Sequence, residues 1–317
     1  LQIFINISLF IEGFTARSSV LQGSIAMAAS YRLFDLTLKS RHQITPSLLR
    51  CVFTGDEIAQ MKHEAPDQRI KLLFSENGAL GQGLGKGDNW YQDYLALPKE
   101  TRPVMRTYTL RALRRDAREM DVEFVLHGEN GPASRWATHA TPGERLLVVA
   151  PDAAFNGDSG GYEWLPPDTL NQALLIADET ALPAVMGILE QLAKSAHPPE
   201  VQTFIEVPHE SDIHDVSAFG FARVHWIARE SDRYGEALLD EVKAAVDIPA
   251  YAQCQAQSLA SSSLLEDDIW ERAAGKKPFY AWVAGESSTV KNLRRYLTGE
   301  RHLDRACVNF MAYWSHK

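Results

Sequence analysis

Met105-Arg106-Thr107-Tyr108-Thr109-Leu110-Arg111 sets a cation, an aromatic ring and hydroxyls on one short run with strand character. Side chains alternate along a strand, so Arg106 and Tyr108 share one face and Thr107 and Thr109 the other. Each type suits a flavin dinucleotide: a guanidinium fork for the diphosphate, a Tyr ring to stack on the isoalloxazine, and Thr groups to bond its polar edge. Downstream, Gly131-Pro132-Ala133-Ser134 reads as a helix start. Gly131 allows close backbone approach, Pro132 fits a first turn, and the unpaired N–H groups near Ser134 favour a phosphate.

Between the two lies Asp121-Val122-Glu123-Phe124-Val125-Leu126-His127-Gly128, a strand ending in His-Gly. The ordered runs RTYT, FVLHGENGPASRW, LLIADETALPA and WVAGES resemble those of the siderophore-interacting proteins, within the ferredoxin-reductase superfamily. The resemblance spans about Tyr31 to Trp314. It implies a flavin-dependent ferric-siderophore reductase that uses NADPH or NADH. It also implies FAD contacts from Arg106, Thr107, Tyr108, Thr109, Asp121, Phe124, His127, Gly131, Pro132, Ala133 and Ser134. Asp178, Thr180, Gly285, Glu286 and Ser287 would meet the flavin edge or the nicotinamide nucleotide. For an anionic ferric siderophore, the resemblance points to Lys71, in its Arg-Ile-Lys-Leu-Leu-Phe run, and by region to Arg301 and Lys317. A ferredoxin is the alternative electron donor, and a siderophore-binding module without activity is the alternative outside enzymes.

Such chemistry needs no triad, because the flavin carries it and the protein orients the cofactor. His127 is accordingly read as a hydrogen-bond partner or packing group. His209, Glu210, Asp212, His214 and Asp215 mix ligand types without diagnostic spacing, so no resident metal is expected and iron is substrate.

The elements that must position these residues follow from pattern. The chain has 317 residues, 45% hydrophobic and 23% charged, enough for two cored domains. Its net charge of −9 argues against general nucleic-acid binding. Cys51, Cys254 and Cys307 show no CxxC spacing, which fits a reducing cytoplasm. Residues 1–26 begin with an apolar stretch too short to span a bilayer and read as a vector-derived leader before Met27. A monomer is expected.

From 27 to 151, six short β runs (34–38, 48–53, 70–74, 104–110, 122–126 and 145–150) predict an antiparallel six-stranded β-barrel that binds FAD. The glycine-rich stretch 75–87 and Trp90, Tyr91 and Tyr94 form an excursion whose aromatics pack down as a lid. Residues 152–170 are the linker. From 171 to 317, strands at 174–177, 201–207, 223–228, 279–284 and 308–314 alternate with helices at 181–193, 236–246, 265–274 and 288–298. This predicts a parallel-sheet α/β domain of the NAD(P)H-binding kind. Asp178-Glu179-Thr180 and Gly285-Glu286-Ser287 fall at carboxyl ends of strands, where ligands of such sheets sit. The first of these turns lacks glycines, and its two acids make a poor field for phosphate.

Overall fold

A computed structural model describes residues 30–75, 84–85, 87, 89–129, 131–229, 232–254 and 270–316. The leader assigned to 1–26, most of the glycine-rich excursion and Lys317 lie outside the described residues. The chain divides between Tyr162 and Glu163 into two compact units, a boundary inside the stretch 152–170.

The first unit is one antiparallel sheet of seven strands. These are β1 (Tyr31–Thr45), β2 (Leu48–Thr54), β3 (Arg69–Phe74), β4 (Val104–Thr109), β5 (Ala112–Arg114), β6 (Glu119–Val125) and β7 (Arg145–Pro151), in the order β4-β3-β7-β1-β2-β6-β5. The edge strands β4 and β5 are joined by Leu110 and Arg111 alone, so the sheet must curl until its two edges approach. Arg111 N–H donates to the Asp121 carbonyl of β6 at 2.9 Å. The six expected runs are all strands. The six-stranded barrel is corrected to a seven-stranded curled sheet, because the three-residue β5 is too short to register as a hydrophobic period.

Period two decides what faces inward. Phe34, Leu36, Leu38, Ile70, Leu72, Phe74, Met120, Val122, Phe124, Leu146, Val148 and Ala150 make one core on the inside of the curl. Helix α2 (Pro132–His139) packs on it through Ala133, Ala137 and Trp136. The alternate residues Leu33, Leu73, Leu147 and Val149 form a second cluster with Trp90 of α1 (Trp90–Ala96), joined by Tyr91 and Tyr94. The excursion's aromatics are therefore packing groups. With both faces covered, all six residues of β3 are buried.

The second unit is a mixed sheet in the order β10-β9-β8-β12-β13-β11. Its strands are β8 (Gln172–Ala177), β9 (Glu200–Val207), β10 (Ala222–Ala228), β11 (Trp270–Glu271), β12 (Phe279–Glu286) and β13 (Val308–Trp314). All pairings are parallel except that of β11 with β13. The near-continuous apolar runs of β8 and β12 suit strands buried on both faces. Helices α4 (Glu236–Ala245) and α5 (Ser287–Arg294) bury Leu238, Val242, Val290 and Leu293 against Leu174, Ile176, Phe204, Val283 and Phe310. Helix α3 (Leu182–Leu192) buries Leu182, Val185, Ile188 and Leu189. The helix expected at 265–274 is corrected over its described part: Trp270–Glu271 is a strand, and no helix follows it to 274. In chain order, the parallel strands run 3-2-1-4-5 across the sheet. The winding reverses between β8 and β12, where Ala177 pairs with Ala284.

Candidate flavin and nucleotide sites

In the first unit the β4 run carries the first group of candidates. Tyr108 lies on the core face, its ring 4.6 Å from that of Phe124, and burial pushes its phenol above the usual range. Arg106 is half-buried, and burial lowers its basicity. Its Nη1 donates to the neighbouring Met105 carbonyl at 2.9 Å, and among the described residues no carboxylate pairs with it. A partly desolvated guanidinium without an acid is a cation suited to an anionic ligand. On the opposite face Thr107 accepts from Lys71 Nζ at 2.6 Å, and Thr109 is buried. Lys71 is only 7% exposed, and burial, seconded by the Arg69 charge, lowers its pKa to about 7.

The β6 to α2 connection holds the second group. Gly128 has φ +85°, the left-handed region that a glycine takes without strain. Ser134 Oγ donates to the Gly128 carbonyl at 2.6 Å and accepts from His127 N–H at 3.4 Å, so one buried hydroxyl staples the His-Gly turn. Helix α2 begins at Gly131 with Pro132 in its first turn and no side-chain cap. Its first N–H groups have no intrahelical acceptors, which suits them to an anion. Trp136 stacks on Phe53 at 5.9 Å and lies 5.7 Å from Phe124, linking the helix to the Tyr108 strand through aromatic packing. A guanidinium with no carboxylate partner among the described residues and a helix start with no side-chain cap among them fit a diphosphate-bearing cofactor such as FAD.

Not every expected contact converges there. Asp121 and Phe124 face opposite sides of β6. Asp121 accepts from both Arg114 Nη atoms, at 2.9 and 2.5 Å, and Phe124 is wholly enclosed in the core.

In the second unit the turns after β8 and β12 meet at the reversal of winding. Asp178 Oδ1 accepts from Thr180 N–H at 2.9 Å and Thr180 Oγ1 at 2.5 Å. Its Oδ2 accepts from Glu286 N–H and Trp314 Nε1, both at 2.8 Å. Burial, then the charge of Glu179, raises the Asp178 pKa to about 7. A Cβ on Gly285 would stand 2.7 Å from Asp178 Oδ2, so the glycine makes room for that carboxylate. Glu286 caps α5, accepting from Ser288 N–H at 2.6 Å and Thr289 N–H at 3.0 Å; Ser287 Oγ also donates to it, at 3.1 Å. Burial pushes the Glu286 carboxyl up, but these donors outweigh it and hold it below the usual range.

Arg229 lies between two acids, donating to both Glu179 oxygens at 3.1 and 2.9 Å and to Glu206 at 2.9 Å, with Tyr234 4.1 Å from its guanidinium. Sequence reasoning missed Arg229, Glu206 and Trp314. A lone acid within the apolar run 201–207 was a usable signal, since a buried carboxylate needs a partner. Arg301 donates to the Val246 carbonyl and to Tyr296 Oη, each at 3.2 Å. It precedes β13, at the amino end of the sheet, and seven residues of strand carry the chain on to the other end. It is not brought together with the Asp178 turn.

Two family models match. Residues 37–155 fit the siderophore-interacting FAD-binding domain, and residues 170–317 fit the siderophore-interacting protein model. The chain belongs to the siderophore-interacting protein family. Among members of known name, it is 26% identical over 289 residues to the ferric vibriobactin reductase of Vibrio cholerae, covering 89% of each chain. It is 25% identical over 287 residues to the NADPH-dependent ferric-chelate reductase of Escherichia coli, covering 90% of this chain and 94% of that one. The crystal structure of the siderophore-interacting protein SipS from Aeromonas hydrophila superposes with a TM-score of 0.63 at 26% identity, covering 90% and 93% of the two chains. Among the described residues, no helix is long and apolar enough to cross a membrane.

Proposed function

We propose that this protein is an FAD-dependent ferric-siderophore reductase, passing electrons from NADPH or NADH to Fe(III) and releasing iron as Fe(II). The observation that carries the reading is the pairing of a half-buried Arg106, without an acid partner among the described residues, with the uncapped start of α2 in an FAD-binding domain. Bound FAD would supply the redox chemistry, uptake of two electrons from a dihydronicotinamide and their delivery singly to iron.

The residues of the chain bind and orient. Arg106 and the N–H groups of Ala133 and Ser134 would hold the diphosphate, with Gly131 and Pro132 shaping the approach. Tyr108 would offer its ring to the isoalloxazine, and Thr107 and Thr109 their hydroxyls to its polar edge. His127 sits in the turn that Ser134 fixes. Asp121 acts on Arg114, and Phe124 backs the Tyr108 ring. Lys71, joined to Thr107, is the cation assigned to an anionic ferric siderophore. Arg301 is left to the scaffold.

A second reading, with reduced ferredoxin as the donor, draws on the acidic turn at Asp178 and Glu179, which is a poor seat for nucleotide phosphates. We propose a cytoplasmic monomer; the three cysteines are free thiols, in keeping with a reducing compartment.

Anaerobic spectroscopy tests the proposal. Purified protein should carry or take up FAD, bleach with NADPH, NADH or reduced ferredoxin, and regain its colour with a ferric siderophore as a chelator traps Fe(II). Protein that stays colourless with added FAD would sink the reading and leave a siderophore-binding module without activity.

A further inference from the structure

The Asp178 carboxyl group is held by donors from three separate elements: the turn after β8, the end of β12 and the end of β13. Thr180 N–H, Glu286 N–H and Trp314 Nε1 converge on it within 2.8–2.9 Å, and the residue is 4% exposed. In an open sheet wound in the order 3-2-1-4-5, the first strand-to-helix turn beside the reversal is where backbone N–H groups receive the pyrophosphate of a dinucleotide. Here the Thr180 N–H of that turn already serves a carboxyl group of the protein itself, with Glu286 N–H and Trp314 Nε1 completing its shell.

The rest of the turn agrees. Ala181 N–H is spent on the Asp178 carbonyl at 3.1 Å, and Pro183, in the first turn of α3, has no N–H to give. Gly285 provides close approach, but its space is taken by the Asp178 carboxylate. Arg229, a guanidinium at this end of the sheet, is divided between Glu179 and Glu206, and Glu206 also accepts from Gly235 N–H at 3.1 Å.

We infer that Asp178 is a built-in carboxyl acceptor occupying the phosphate position of the second unit, and that it sets a low affinity for the nicotinamide dinucleotide. The inference rests on the reading of this unit as the one that meets NAD(P)H, and it names the residue that controls that encounter. A weakly held donor leaves soon after its hydride has been transferred, which suits a protein whose next substrate is a bulky chelate.

The test is calorimetric titration of the FAD-loaded protein with NADP⁺ and NAD⁺, which bind without reducing the flavin, alongside thermal melts with inorganic pyrophosphate. Asp178→Ala should bind NADP⁺ at least tenfold more tightly than the wild type. Pyrophosphate should raise the melting temperature of the variant and leave that of the wild type unmoved. Unchanged affinity in a folded, FAD-loaded variant would overturn the inference. So would weakened affinity, which would make Asp178 a direct contact of the nucleotide.

Should the alanine variant not fold, Asp178→Ser, which shortens the side chain and withdraws it from the Glu286 and Trp314 donors, must show the same direction. Flavin that never bleaches with NADPH or NADH, despite tighter NADP⁺ binding, would sink the donor reading and leave this one standing. Normal bleaching with unchanged affinity would do the reverse.

Discussion

Two cations in the first unit differ in what they have been given to do. Arg114 is committed to Asp121 and Glu119, whereas Arg106 meets no carboxylate among the described residues. Losing one charge-assisted bond costs about 1.5–3 kcal/mol, so Arg106→Ala should weaken FAD roughly tenfold to a hundredfold. Arg114→Ala should leave FAD affinity nearly as it was; fluorescence titration of apoprotein compares the two, and equal losses would remove Arg106 from the site. Lys71 makes a different case. Its pKa is lowered to about 7 by burial, so between pH 7 and the usual lysine range the unfolded chain holds a proton that the native state has shed. Native stability therefore rises with pH across that window, and the cost of burying Lys71 is fully felt below pH 7. Lys71→Met should then stabilise the apoprotein at pH 6.5, by on the order of 2–4 kcal/mol less the lost Thr107 bond, and the gain should shrink toward pH 10. Melts of both proteins at pH 6.5, 8 and 9.5 check this, and a gain that grows with pH would refute it. A lysine poised near neutrality also gains charge when an anion arrives, which is what the siderophore assignment asks of it.

At the scale of elements, legibility in the sequence followed the reach of the interactions. The runs that became β1, β3, β6 and β7 were readable because each alternates into the core, and β8 and β12 because both of their faces are apolar. Strand β5 has three residues, and β11 has two inside a stretch with helical spacing, so neither carries a period. The flavin motifs were legible as local runs. The Asp178 network was not, since its indole donor lies 136 residues away and no pattern announces that meeting. Between these extremes stands the link between β6 and α2, where Ser134 was visible as part of a helix start but its staple on Gly128 was not. Ser134→Ala removes the 2.6 Å hydrogen bond to the Gly128 carbonyl, a loss of about 0.5–1.5 kcal/mol. The apoprotein should melt lower and FAD bind severalfold more weakly, because the turn that orients the α2 N–H groups is loosened. Unchanged FAD affinity in the variant would show that α2 is positioned by Trp136 packing alone.

On the scale of the whole molecule, each unit has its own core. One is built from the inward residues of the curled sheet, and the other from the parallel sheet with α4 and α5. Separate cores permit separate cooperative transitions, and a ligand stabilises the part of a protein to which it binds by mass action. The Arg106 strand and the α2 start both belong to the first unit, so FAD should act there. Differential scanning calorimetry of apoprotein should resolve two transitions. FAD at 100 times its dissociation constant should stabilise one of them by about 2.7 kcal/mol and move the other much less. Pyrophosphate added to Asp178→Ala should move the second and leave the first. A single transition that FAD shifts as a whole would mean that the units unfold as one. The two anion seats would then be energetically coupled, and the weak nucleotide affinity assigned to Asp178 would have to be measured with FAD bound and with FAD removed.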